Sequence, residues 1–189
     1  MRRGVSVASL AVAALAFGAT IAAIKGQDVG VRDALGNMSA PWVLIPFVAG
    51  ARVRSLWRGA LLGVAVTLLA PIGFYVAEAA ILNLGPHPWW VDVQLTVKWN
   101  IYDSWGIVSG LLYGALGALW SVRRSAVAGA AVGLAFIAEP VIALLLSRGG
   151  IWDAELLHYT WLWGAEVLAG AAAVSYALTH LQTDTRRIV

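Results

Sequence analysis

At 189 residues, with 60 % hydrophobic and only 12 % charged side chains, the chain has too little polar surface to cover a globule in water. It contains no cysteine, which excludes disulfides, thiolate metal sites and cysteine nucleophiles. Its formal charge of +3 does not point to nucleic acid, because the basic residues sit between apolar runs in an alternating pattern.

Six apolar segments follow in order, at about residues 5–24, 35–51, 59–82, 105–122, 126–146 and 159–180. A bilayer-crossing helix needs about 20 apolar residues, and most of the six approach that length. The chain is therefore expected to be all-α and polytopic: a six-transmembrane-helix bundle forming one integral membrane domain, residues 1–189, with a short second helix and an amphipathic outer loop.

Met1-Arg2-Arg3-Gly4 before the first run has the start of a signal peptide. The run is long for one, and Lys25-Gly26-Gln27 offers no small-residue cleavage site, so a retained helix is expected. Its Ala14, Gly18 and Ala22 recur every four residues on one face. Small-residue faces let membrane helices approach closely, and on a peripheral first helix this one is a candidate for docking a partner membrane protein.

The second segment contains Pro41 and Pro46, and only residues 41–51 are uniformly apolar. Eleven residues make about 16 Å of helix. Ser39 suits the N-cap and Pro41 the first turn. The segment is either a tilted, frayed helix from Leu35 or a half-helix whose positive N-terminal end faces a polar cavity.

The third segment begins with Gly59 and Gly63, and Pro71, Tyr75 and Glu78 share a face near its end. In the loop that follows, residues 91–101 alternate apolar and polar. That reads as a strand, or as an interfacial helix with Trp90, Val93, Val97 and Ile101 on one side. Either form would cap the outer mouth. The fourth segment aligns Gly106, Gly110, Gly114 and Ala118 on a packing face. The fifth has Gly129 and Gly133, then Glu139 before Pro140, where a kink is expected. The sixth carries the stripe Tyr159, Trp163, Glu166, Gly170.

Nine basic residues fall in one set of connecting regions (Arg2, Arg3, Arg52, Arg54, Arg58, Arg123, Arg124, Arg186, Arg187) and four in the other (Lys25, Arg32, Lys98, Arg148). The richer set marks the cytoplasmic side, so both termini are expected inside a bacterial cytoplasmic membrane. Eight of the ten tryptophans then lie toward the outer side, all but Trp57 and Trp120.

Glu78, Glu139 and Glu166 interrupt apolar runs, each about 7–12 Å from the outer boundary. A carboxylate near the middle of a membrane helix costs at least ~2.5 kcal/mol, so each needs a partner or water. The candidate counter-charges are Lys98, Arg32 and Arg148 in the outer loops. The common depth and the tryptophan excess predict one outward-opening pocket lined by Glu78, Glu139, Glu166, Tyr75, Trp105, Tyr159 and Trp163. Tryptophan faces beside carboxylates attract organic cations. No phosphate loop or HExxH motif appears, and His87 and His158 lack a metal-ligand spacing, so no metal, cofactor or catalytic residue is assigned.

The run Gly36-Asn37-Met38-Ser39-Ala40-Pro41-Trp42-Val43-Leu44 before an arginine-rich loop, and Trp105-Gly106-Ile107-Val108-Ser109-Gly110 opening a glycine-rich helix, resemble an uncharacterised family of small multi-helix membrane proteins from high-GC bacteria. That family implies no activity or site. In architecture the chain is also similar to the substrate-binding components of energy-coupling-factor importers, which implies a six-helix fold with an outward pocket. Two readings of function follow. One is a membrane component that binds a small cationic or amine-containing solute and relies on a partner for uptake. The other is a non-catalytic structural or assembly subunit of a membrane complex.

Overall fold

The computed structural model describes residues 6–26, 30–82, 90–91, 94, 105–149 and 157–185. Among these the helices are α1 (Val7–Lys25), α2 (Gly30–Gly36), α3 (Ala40–Gly50), α4 (Leu56–Leu82), α5 (Trp105–Arg123), α6 (Ala126–Arg148) and α7 (Thr160–Thr185). Five of them, α1, α4, α5, α6 and α7, are long and apolar enough to cross a membrane. The expected amphipathic segment 91–101 lies outside the described residues apart from Val91 and Gln94, whose backbone is helical.

Local chemistry sets several boundaries. Ser6 accepts a hydrogen bond from the Ser9 amide and starts α1, and Ser125 does the same for α6 through Ala128. The second apolar segment is not a helix from Leu35. It divides into α2 and α3, because Pro41 has no amide to donate to the carbonyl of Asn37, so a continuous helix would lose a bond there. The Asn37 side-chain amide instead turns back onto Asp33, donating to its carbonyl (3.0 Å) and carboxylate (2.8 Å). By contrast α4 and α6 run through Pro71 and Pro140 as single helices.

Neighbour contacts give each helix its direction. Gly18 lies against Ala70 and Lys25 against Glu78, so α1 and α4 run parallel. The chain therefore returns between them, over residues 26–55. Val43 lies near Ser109, and Val53 accepts from the Ser121 hydroxyl at 3.0 Å, so α3 descends beside α5. Gly63 against Gly110 and Gly59 against Ala118 make α4 and α5 antiparallel. Gly133 against Gly170 and Gly129 against Ala177 do the same for α6 and α7. Val7 and Thr185 thus lie at the same end of the bundle.

The interior is built from small residues. Ala14, Ala49, Ala70, Ala118, Ala128 and Ala143 are almost fully buried, and among the described residues the largest fully buried side chain is Pro46. Large apolar residues such as Leu61, Leu112, Leu134, Leu145 and Leu168 point outward. That inverts the soluble pattern and fits helices whose outer faces meet lipid and whose inner faces associate by backbone proximity. Trp57 and Trp161, 68 % and 63 % exposed, stand at opposite ends of the bundle as interfacial anchors.

The small-residue face of α1 is not free. Ala14 and Ala22 are buried, and a Cβ added at Gly18 would overlap the carbonyl of Ala70. The Ala14, Gly18, Ala22 face expected to dock a partner protein is thus filled by α4. The expected packing face of α5 is as read: Cβ atoms at Gly110 and Gly114 would strike the backbone of α4.

Candidate functional site

The site is built around the start of α3, which lies inside the bundle at the level of Glu139. A helix start presents amides with no intrahelical acceptor, and Ser39 does not cap them with its own side chain. The Glu139 carboxylate does so from α6, accepting from the backbone amides of Ser39 and Ala40 with one oxygen each. Charge and dipole agree here, since the helix N-terminus carries partial positive charge. The bond is made by residues about 100 positions apart.

Glu166, on α7, turns its carboxyl toward that of Glu139. It is 4 % exposed, and neither of its oxygens has a hydrogen-bond partner. Glu78 is elsewhere, at the α1–α4 interface, where the Lys25 ammonium donates to it at 3.0 Å. The expected counter-charges were Lys98, Arg32 and Arg148. The partner is instead the last residue of α1, because α1 and α4 run parallel and end together. Arg32 serves a different purpose, donating to the carbonyls of Ala23 (2.6 Å) and Ile24 (2.9 Å) at the end of α1. Lys98 lies outside the described residues.

Two cavities flank the start of α3, and Ser39 and Val43 line both. The first, of about 500 Å³, lies between α3, α4 and α5 and includes Asn37, Trp42, Thr67, Phe74, Tyr75 and Ser109. Its aromatic wall is continuous. Phe17 meets Trp42 edge to face (5.5 Å), Trp42 meets Phe74 (5.9 Å) and Phe74 meets Tyr75 (5.1 Å). The Thr67 hydroxyl donates to Gly63 at 2.8 Å and the Ser109 hydroxyl to Gly106 at 3.1 Å. Each hydroxyl has one proton, so both oxygens are left as acceptors toward any further partner. The second cavity, about 450 Å³ and mostly apolar, runs between α3, α5 and α6 and reaches Glu139.

Of the seven expected site residues, the two described cavities hold one each, Tyr75 in the first and Glu139 in the second. Glu139 and Glu166 are adjacent, and Tyr75 lines the larger cavity. Glu78 is paired with Lys25. Tyr159 packs with Ala34, Met38 and Leu162, fixing the α2–α3 junction to α7, and Trp163 is buried. Trp105 begins α5, and its side chain lies outside the described residues. Sequence reasoning passed over Asn37, Trp42, Thr67 and Ser109 as cavity residues. Hydroxyls inside apolar runs were the available signal, weaker than a charge because a hydroxyl satisfies itself on its own helix. Comparison with protein-family models, with curated proteins and with solved structures found no match to this chain.

Proposed function

We propose that the chain is a six-span protein of the bacterial cytoplasmic membrane, with both termini inside, that binds a small donor-bearing solute from the outer face. An amine-containing molecule fits this class. The observation that carries the reading is the cavity of about 500 Å³ at the start of α3, a size suited to a small ligand. Its aromatic wall and the acceptor oxygens of Thr67 and Ser109 suit N–H or O–H donors. Lys25 offers an internal precedent, because its ammonium sits 5.6 Å from the Phe74 ring centroid while bonded to Glu78. That arrangement of ring and carboxylate is the chemistry a cationic solute would use. The sixth crossing is α3 with its flanking turns, supported by the parallel run of α1 and α4. The inside placement of the termini is supported by the nine-to-four division of basic residues.

A second reading, a structural or assembly subunit, has its own support. Two of the three intramembrane carboxylates, Glu78 and Glu139, are spent on holding the fold. Native mass spectrometry of gently purified protein separates the two. The solute reading expects a retained small molecule that Ser109→Phe, which fills the cavity, releases without unfolding the protein. A wild-type spectrum with no retained solute, or equal retention by the variant, supports the structural reading instead.

A further inference from the structure

We infer that the Glu139–Glu166 pair is a binding site for one small monovalent cation of sodium size, separate from the solute cavity. Two carboxyl groups on neighbouring helices face each other there, and Glu166 is 4 % exposed with both oxygens unpartnered. Among the described residues no basic side chain is seen to pair with Glu139 or Glu166. The start of α3 supplies two amides and roughly half a positive charge, and both amides are taken by Glu139. Two ionised carboxylates against half a charge would leave the site short of about one and a half positive charges. A bound monovalent ion supplies most of that, and carboxylate oxygens are the ligands hard cations prefer.

Geometry narrows the ligand further. The Glu166 oxygens are sealed from solvent, so an organic ammonium does not fit between the two acids without parting the helices. The helices resist parting, because α6 and α7 touch backbone to backbone at Gly133 and Gly170. A bare ion is smaller than an organic ammonium and asks for less movement. The cavity between α3, α5 and α6 reaches Glu139, one side of the pair. Occupancy would tie α7 to α6 through the ion and α6 to α3 through the Glu139 cap. Since Ser39 and Val43 also line the solute cavity, the ion would stabilise that wall too.

The test uses the full chain purified in detergent. Radioactive sodium binding is measured directly, and melting is compared in sodium chloride and choline chloride at equal ionic strength. Wild type should bind sodium saturably and melt about 3–5 °C higher at ten times the dissociation constant. Glu166→Gln should abolish both effects. Glu78→Gln, which alters the acid already paired with Lys25, should leave sodium binding intact. The inference is overturned by a wild type without saturable binding, or by binding that survives in Glu166→Gln. It is also overturned if acidification alone raises the melting point while sodium has no effect, since a proton would then suffice. Wild-type binding by itself can overturn the inference, and the loss in Glu166→Gln counts only with a melting transition that shows the variant folded. The result is independent of whether a solute is found in the other cavity.

Discussion

Glu78 and Glu139 interrupt different helices, and the fold neutralises them by different means. At the α1–α4 interface the partner is a side chain: Lys25 reaches Glu78 from the end of a parallel helix, with the two side chains 16 % and 12 % exposed. At α3 the partner is backbone: the open end of a half-helix gives Glu139 its two amides. In the first arrangement the carboxylate meets a full positive charge directly. In the second it does not, and Glu166 stands beside Glu139 with no donor. An acid satisfied by a lysine is a fastener. An acid pair beside half a helix charge is where we propose that a further ligand binds.

The largest effect is expected at the seam that supports both sites. Gly110→Leu would drive a side chain into the backbone at Val64 on α4, and overpacking of that kind costs about 3 kcal/mol or more. A collapse of the detergent melting temperature is expected, and an unchanged one would mean that α4 and α5 do not meet there. Glu139→Ala comes next. It strands the Ser39 and Ala40 amides at about 1–3 kcal/mol each, while Glu139→Gln keeps one acceptor oxygen and should lose roughly half as much. Equal losses in the two variants would show that the cap is not what Glu139 contributes.

Glu78→Ala should cost about 1–3 kcal/mol by breaking the bond to the Lys25 ammonium. Adding Lys25→Met completes a double-mutant cycle of unfolding free energies, which measures the coupling. Additive losses would break the comparison, since Lys25 would then not be the partner. The smallest effect is expected for Glu166→Gln, within about 1 kcal/mol of wild type in sodium-free buffer, because it orphans no backbone group and removes a like charge. A loss as large as that of Glu139→Ala would mean that Glu166 holds the fold and has no spare capacity.

Much of the frame was legible in the residues. The expected runs 5–24, 105–122 and 126–146 match α1, α5 and α6 to within a few residues, because apolar run length is a local property. The α5 glycine face was also readable, since four-residue spacing states that a face packs closely. Spacing does not state against what, and for that reason the similar signal on α1 could be offered as a candidate partner face although α4 fills it. The proline-bearing second segment was read as either of two helices, and the half-helix was one of them. Its capping residue was out of reach, because a cap is normally sought within four residues of the helix start.

The sequence by itself determined which stretches are apolar enough to leave water, where prolines interrupt them, and which faces are small enough to touch. Those properties depend on residues within a turn or two of one another. The tertiary structure alone decided the pairings. Parallel α1 and α4 bring Lys25 to Glu78, although 53 positions separate them. The packing of α6 beside α3 puts a carboxylate at an open helix end, and α7 beside α6 leaves Glu166 facing it. Side-chain reach is only a few ångströms, so which charges meet is settled by the order in which helices pack.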